Sequence, residues 1–228
     1  MRVKAKSLNR IMSRVLKIDS DATLKSHTKY ICGILRGGGV IAFPTDTYYG
    51  LGVNPFNIKG VRRVFDIKSR QTNKPLLVLV SSEAQLDQLV KSRSREANLL
   101  IKKFWPAPLT LIFNAVPKLP HILTAGTGTV GIRLPGNKWT RQLIEAVGCP
   151  LTATSANKNN ETNLQTAEEV AQTFESNIDL IIDAGPAPGG DVSTLIDTTV
   201  SPPVLLRHGA VTQQEIESNV KMKCISIL

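Results

Sequence analysis

The order of strand-like and helix-like segments predicts an α/β fold: one domain built on a twisted mixed β-sheet flanked by helices. Three observations carry that expectation. Short aliphatic runs alternate with segments in which apolar residues recur every three or four positions. Strand-like runs crowd together after residue 180, the pattern of a sheet that is not all parallel. And 228 residues, 42% of them apolar and 20% charged, suit one sizeable core.

Taken in order, Ser20 or Asp21 caps a helix with Leu24, Tyr30, Ile31, Ile34 and Leu35 on one side, and Gly37-Gly38-Gly39 stops it. Val40 to Phe43 reads as a buried strand. Ile58, Val61, Val64 and Phe65 recur at helical spacing, which puts Lys68 and Arg70 at or beyond that helix's C-terminus. Leu76 to Val80 is a second strand, and helices follow at Glu83–Val90 and Arg95–Phe104. Trp105-Pro106-Ala107-Pro108 breaks the chain before a strand at Leu109–Phe113. Val130–Leu134 is a strand, then comes a helix through Leu143, Ile144 and Val147. The short apolar stretch Pro150–Ala153 ends in a loop at Ser155. Thr166 caps a helix opening Ala167-Glu168-Glu169. Strands at Leu180–Asp183, Thr194–Asp197 and Val204–Leu206 complete the domain, with Gly185–Gly190 a loop between the first two.

The net charge of +10 is uneven. Residues 1–17 carry Arg2, Lys4, Lys6, Arg10, Arg14 and Lys17 and no acid, while the rest of the chain holds 22 basic and 18 acidic side chains. The expected organisation is therefore a basic N-terminal arm over residues 1–19, one domain over 20–219 and a C-terminal tail over 220–228. Such an arm suits RNA or another polyanion, and its acid-free composition also has something of a mitochondrial presequence. The longest aliphatic run, Leu76 to Val80, is far too short to span a membrane. Cys32, Cys149 and Cys224 are scattered, with no C-x-x-C and no nearby histidine, which argues against structural zinc and fits a reducing compartment. A cytoplasmic location, with no membrane partner and no resident metal, is the expectation.

Several chemistries are disfavoured. Gly126-Thr127-Gly128-Thr129-Val130-Gly131 fits G-x-G-x-x-G, but a strand follows it where a dinucleotide site needs a helix. There is no phosphate-binding G-x-x-x-x-G-K-[ST], no G-x-S-x-G and no H-E-x-x-H, and His27, His121 and His208 lie apart. What remains is a set of cations and hydroxyls near predicted strand ends. Lys68, Arg70, Lys74, Arg133 and Arg207, gathered on one wall, would repel one another unless an anion neutralised them. A polyphosphate suits them. Thr45, Thr47, Thr129, Ser155 and Ser193 add hydroxyls and Asn157 an amide, a set fitted to a small zwitterion beside a nucleotide.

Seven words occur in order: Phe43-Pro44-Thr45-Asp46-Thr47-Tyr48-Tyr49-Gly50-Leu51-Gly52, Lys68-Ser69-Arg70, Trp105-Pro106-Ala107-Pro108-Leu109-Thr110, Gly131-Ile132-Arg133-Leu134-Pro135, Ser155-Ala156-Asn157, Ser193-Thr194-Leu195-Ile196-Asp197 and Leu206-Arg207-His208-Gly209-Ala210. In this order and spacing they closely resemble the YrdC-like family, over roughly Lys25 to Val211. The resemblance implies a concave basic cleft and a nucleotidyltransferase activity. L-threonine, bicarbonate and ATP, with Mg²⁺, would condense to threonylcarbamoyl-AMP and pyrophosphate for N6-threonylcarbamoyladenosine in tRNA. It implies catalytic roles for Lys68, Arg70, Ser155 and Asn157. ATP would be met by Lys68, Arg70, Lys74, Thr129, Asn157 and Arg207, and L-threonine by Thr47, Arg133, Ser155 and Ser193, with Arg133 facing the carboxylate. The implied partners are the three substrates, threonylcarbamoyl-transferase proteins downstream, and tRNA or RNA on the basic face.

The chain departs from the family pattern at Gln71, Leu79, Ala107, Thr154 and His208. Leu79 and Thr154 are expected to reshape the amino-acid pocket. Rival readings are an RNA-binding module, a paralogue of altered substrate, and the corresponding unit of a hydrogenase-maturation carbamoyltransferase. With three Tyr, two Trp and six Phe the chain offers few stacking platforms for RNA, and with three cysteines it lacks the zinc segments of the last class.

Overall fold

The computed structural model describes residues 15–69, 71–158, 161–174, 177–220 and 225–226. Arg70 and most of the basic arm, residues 1–14, lie outside the described residues.

The described chain begins as a strand, β1 (Val15–Lys17), inside the expected arm. It leads into helix α1 (Asp21–Arg36). Ser20, not Asp21, is the cap: its side chain accepts from the Thr23 N–H, and Asp21 then sits in the first turn, where the helix dipole favours a negative charge. Leu24, Ile31 and Leu35 form the buried stripe, each contributing roughly 1.5–3 kcal/mol. Tyr30, expected on that stripe, is 53% exposed, because it lies a hundred degrees round the helix from Ile31.

Strands β2 (Ile41–Pro44) and β3 (Tyr49–Gly52) form an antiparallel hairpin, the second of which sequence reading did not anticipate. Helix α2 (Ile58–Lys68) is capped by Asn57 and closed by Ser69 in the left-handed region, φ 48°. Val61, Val64 and Phe65 are buried as expected, but Ile58 is half exposed at the helix's first turn. The strand expected over Leu76–Val80 shrinks to β4 (Val78–Leu79), its flanks held by single bonds from Leu76 N to Leu123 O and from Val80 N to Arg133 O. Then follow α3 (Glu83–Asp87), α4 (Arg95–Phe104), β5 (Leu109–Asn114), β6 (Thr129–Arg133) and α5 (Lys138–Val147). Two short strands, β7 (Leu151–Thr152) and β8 (Thr154–Ser155), precede α6 (Ala167–Phe174). The capping box at α6 is formed, Thr166 Oγ1 accepting from Glu169 N while Glu169 accepts from Thr166 N. The chain continues through β9 (Leu180–Asp183), β10 (Thr194–Asp197), β11 (Val204–Arg207) and α7 (Gln213–Val220). Ile225–Ser226, expected in the tail, form β12 beside β11.

The strands make two mixed sheets, not one. Five are ordered β1-β9-β2-β3-β8 and seven β12-β11-β10-β5-β6-β4-β7. The chain passes from one sheet to the other at Ala153. Leu151 and Thr152 pair antiparallel with Leu79 and Val78 in the larger sheet, whereas Thr154 and Ser155 pair with Leu51 and Gly50 in the smaller. Each sheet carries helices, and two apolar cores result: one around Val64, Leu100, Leu111 and Ile132, the other around Ile31, Phe43, Leu143 and Leu180. The two sheets diverge around a cavity.

A candidate active site between the two sheets

The words read from the sequence converge here through backbone bonds. Ala107 N donates to Leu134 O, Thr194 N to Pro108 O, and Ala210 N to Val192 O. These bonds lay the W-P-A-P turn, the end of β6 and the start of β10 side by side. Gly209 is required by that packing, since a Cβ there would overlap the backbone of Val192, Ser193 and Thr194.

Between the sheets lies a cavity of about 420 Å³, within the range of small-molecule sites. From the smaller sheet it is lined by Thr45, Thr47, Tyr49 and Gly50, and from the larger by Thr110, Thr129, Gly131 and Arg133. The crossover adds Ala153, Thr154 and Ser155, and the β9–β10 and β11 side adds Ser193 and Arg207. Tyr49 anchors one wall, its hydroxyl donating to Gly185 O at 2.9 Å. Burial, with the charges of Asp183 and Glu168, pushes that phenol well above its ordinary range.

Arg133 is 4% exposed. Its Nη2 lies 3.1 Å from Asp46 Oδ1, and its Nε finds no hydrogen-bond partner among the described residues. Burial pushes this guanidinium below its ordinary pKa, Asp46 opposes that shift and Arg207 adds to it, yet an arginine stays charged throughout. Ser193 is also buried, its hydroxyl 2.9 Å from Thr110 Oγ1 and accepting from Arg207 Nη2 at 3.0 Å. Arg207 further holds Ser193 O through both Nε and Nη2, while the residue as a whole stays exposed at the cavity's edge. Thr47 Oγ1 faces Thr45 Oγ1 at 3.3 Å, and Thr129 Oγ1 faces Thr127 Oγ1 at 2.8 Å.

Lys68 and Asn157 stand behind this lining. Lys68 is buried at the last turn of α2, and its ammonium donates to Ser155 O, to Asn157 O at 2.6 Å and to Asn157 Oδ1 at 2.9 Å. Ser155 Oγ donates to the same Oδ1 at 2.6 Å, and Asn157 Nδ2 donates to Glu161 O. The K-S-R and S-A-N words are thus joined in one polar knot that fixes the crossover strand. Ser155, expected in a loop, lies on β8 opposite Gly50. Lys74 is exposed in the loop before Pro75, which does reach the cavity. Of the five expected cations, then, Arg133 and Arg207 line the cavity, Lys68 and Lys74 do not, and Arg70 lies outside the described residues. Thr154 lines the cavity, whereas Leu79 is fully buried in the second core, away from it.

Sequence reading missed Asp46, Thr110 and Arg141. Asp46 Oδ2 accepts from Gly136 N at 2.9 Å, and Arg141 Nη1 donates to Pro135 O and Gly136 O, so both shape the turn after β6. Asp46 carried a signal: it is the acid inside a word of hydroxyls on a wall otherwise read as basic.

The cavity between the two mixed sheets is lined by hydroxyls and two arginines and has the size of a small-molecule site. The chain belongs to the Sua5/YciO/YrdC family: residues 33–209 match the family model described as telomere recombination. It is 41% identical over 185 residues to a threonylcarbamoyl-AMP synthase of Pyrococcus abyssi, covering 81% of this chain and 54% of that protein. It is 39% identical over 186 residues to the enzyme of the same name from Bacillus subtilis, again covering 81% and 54%. The chain therefore spans about half the length of these two relatives. The crystal structure of P. abyssi Sua5 complexed with L-threonine superposes with a TM-score of 0.85 at 36% identity, over 92% of this chain and 62% of that one.

Proposed function

We propose that this chain is a threonylcarbamoyl-AMP synthase, joining L-threonine, bicarbonate and ATP into threonylcarbamoyl-AMP with release of pyrophosphate. One observation carries the reading: a buried arginine, Arg133, with an unpartnered Nε on the wall of a cavity lined by Thr47, Thr129, Ser155 and Ser193. An unpartnered buried donor is unfavourable by about 1–3 kcal/mol, a penalty that a carboxylate in the cavity would remove. The likeness to two synthases and to an L-threonine-bound structure supports the amino acid's identity.

In this reading Arg133 takes the carboxylate of L-threonine, and Thr47, Ser155 and Ser193 surround its hydroxyl and amine. Arg207, exposed at the rim, faces the phosphates, with Thr129, Lys74 and Arg70 on the same nucleotide. Mg²⁺ enters as MgATP, held by the phosphate oxygens. The phosphate role of Lys68 and Asn157 requires Lys68 to exchange some of its present acceptors for phosphate oxygens; as they stand, both build the wall that presents Ser155. The amine captures carbon dioxide or bicarbonate as a carbamate, whose oxygen attacks the α-phosphorus as pyrophosphate leaves. No protein nucleophile is needed. The chain's contribution is to align two anions and neutralise the charge that develops on the phosphates. We place the reaction in the cytoplasm, ahead of the proteins that transfer the threonylcarbamoyl group to tRNA; among the described residues no helix is long and apolar enough to cross a membrane.

The test is direct. Purified protein given L-threonine, bicarbonate and MgATP should release pyrophosphate, and leaving out L-threonine should abolish most of that release. L-serine, short of one methyl, should be poorer by about tenfold to a hundredfold, and glycine far poorer. Pyrophosphate release indifferent to L-threonine, or release of inorganic phosphate in its place, would overturn the reading.

A further inference from the structure

Asp46 does not line the cavity, yet it is the group that decides how Arg133 presents itself there. It sits in the β2–β3 turn of the smaller sheet, while Arg133 ends β6 in the larger one. Its side chain is 10% exposed. One oxygen, Oδ2, is fixed by the Gly136 N–H at 2.9 Å. That turn is itself clamped by Arg141 on Pro135 O and Gly136 O. The other oxygen, Oδ1, faces Arg133 Nη2 at 3.1 Å without making an aligned hydrogen bond.

The consequence for Arg133 is geometric. A guanidinium offers five N–H donors in one plane. With Nη2 drawn toward Asp46 behind the cavity wall, rotation about the side chain's last bonds is restricted, and Nε is left unpartnered. A buried arginine without a counter-charge would also repel Arg207, which acts on it in the same direction as burial does. Asp46 offsets both effects.

Resting on the reading of Arg133 as the carboxylate partner, we propose that Asp46 is a positioning residue for amino-acid selection. By holding one side of the Arg133 fork across the gap between the sheets, it directs the remaining donors at a carboxylate. It sets the protein's preference for an α-amino acid over an analogue that lacks the carboxylate. A second bond, from Thr140 Oγ1 to Pro44 O at 3.0 Å, braces the same hairpin, so the hairpin has support apart from Asp46.

The experiment compares L-threonine with L-threoninamide, which keeps the amine, hydroxyl and methyl but replaces the carboxylate. Binding of each is measured calorimetrically to the intact protein, to Asp46→Asn and to Asp46→Glu, alongside KM for ATP. The wild type should prefer L-threonine by a hundredfold or more. Asp46→Asn keeps the shape and an acceptor for Gly136 N, and should lose tenfold or more of that preference while KM for ATP changes less than threefold. Asp46→Glu keeps the charge one methylene out of place and should fall between the two. If Asp46→Asn fails to fold, the Glu variant carries the same comparison. An unchanged preference in a folded variant, or equal losses for L-threonine, L-threoninamide and ATP, would overturn the role of Asp46. A wild type that binds L-threonine no better than the amide would instead overturn the reading of Arg133 on which the inference rests.

Discussion

Lys68→Met should destabilise the protein, and the size of the effect follows from where its ammonium sits. The side chain is buried, and Nζ donates to Ser155 O, Asn157 O and Asn157 Oδ1. Methionine nearly matches the volume but offers no donor. Three charge-assisted bonds at roughly 1.5–3 kcal/mol each would set an upper bound well above 4 kcal/mol. Two considerations lower it. Ser155 O also accepts from Asn157 N at 3.0 Å, and Asn157 Oδ1 from Ser155 Oγ, so both keep a donor; Asn157 O is the acceptor left with none among the described residues. Removing a buried cation also recovers part of its desolvation penalty. The net loss should be about 2–4 kcal/mol. For a chain of this size that corresponds to a fall in Tm of roughly 4–16 °C. Thermal melts followed by circular dichroism would measure it, with exposed Lys74→Met as a control that should shift Tm far less. A Lys68→Met protein melting within about 2 °C of the wild type would show that the knot between α2 and β8 contributes nothing, and would leave Lys68 to a ligand alone.

Two other perturbations bear on the fold. Deleting residues 1–17 removes β1, which pairs in parallel with β9 from Val15 opposite Ile181 to Lys17 opposite Asp183. That should cost roughly 2–3 kcal/mol from lost strand bonds and from partly buried Leu16, so the protein lacking residues 1–17 should melt below one lacking residues 1–14 alone; identical melts for the two truncations would refute this. The Cys149 thiol is pushed up to about 11, mainly by burial and further by Cys32. Since the unfolded thiol ionises near 9, its contribution is fully present below about pH 9 and is lost as pH rises through 11. Cys149→Ser should flatten the decline of Tm across that window, and parallel curves for the two proteins would count against it.

Most helices were legible because their signals are local, although α7 was not anticipated and α3 stops at Asp87, short of the expected Val90. Ser94 before α4 and the Thr166–Glu169 box before α6 act within one turn of the residues they cap. The ends of the short strands were not, because partners from distant parts of the chain decide them. Tyr49-Gly50-Leu51-Gly52 has two glycines, a poor strand signal taken alone. It is a strand because another backbone lies against it: a Cβ on Gly52 would meet the Phe43 ring and, at 2.9 Å, Thr152 O. Likewise Leu76 to Val80 has the residues of a five-residue strand, yet only Val78 and Leu79 face both β6 and β7.

The site divides in the same way. Cations and hydroxyls could be named from residue type and order, but their distances from one another depend on the crossover at Ala153. Had the chain run on through Thr154 in the larger sheet, Ser155 would have stayed beside β4, away from Gly50. Because it changes sheets, Ser155 and Asn157 are carried to the end of α2, where the Lys68 ammonium meets their oxygens. Two words that read as separate loops over a shared ligand are therefore in direct contact with each other. The same divergence of the sheets sets Asp46 opposite Arg133. Periodicity carries no information about such a pairing, since it reports which face of its own strand a side chain takes and not which strand of another sheet lies across from it. An acid among hydroxyls, in a chain whose expected site is otherwise basic, was the available sign. Its meaning rests on Nη2 being 3.1 Å from Oδ1, a distance that only the folded pair of sheets defines.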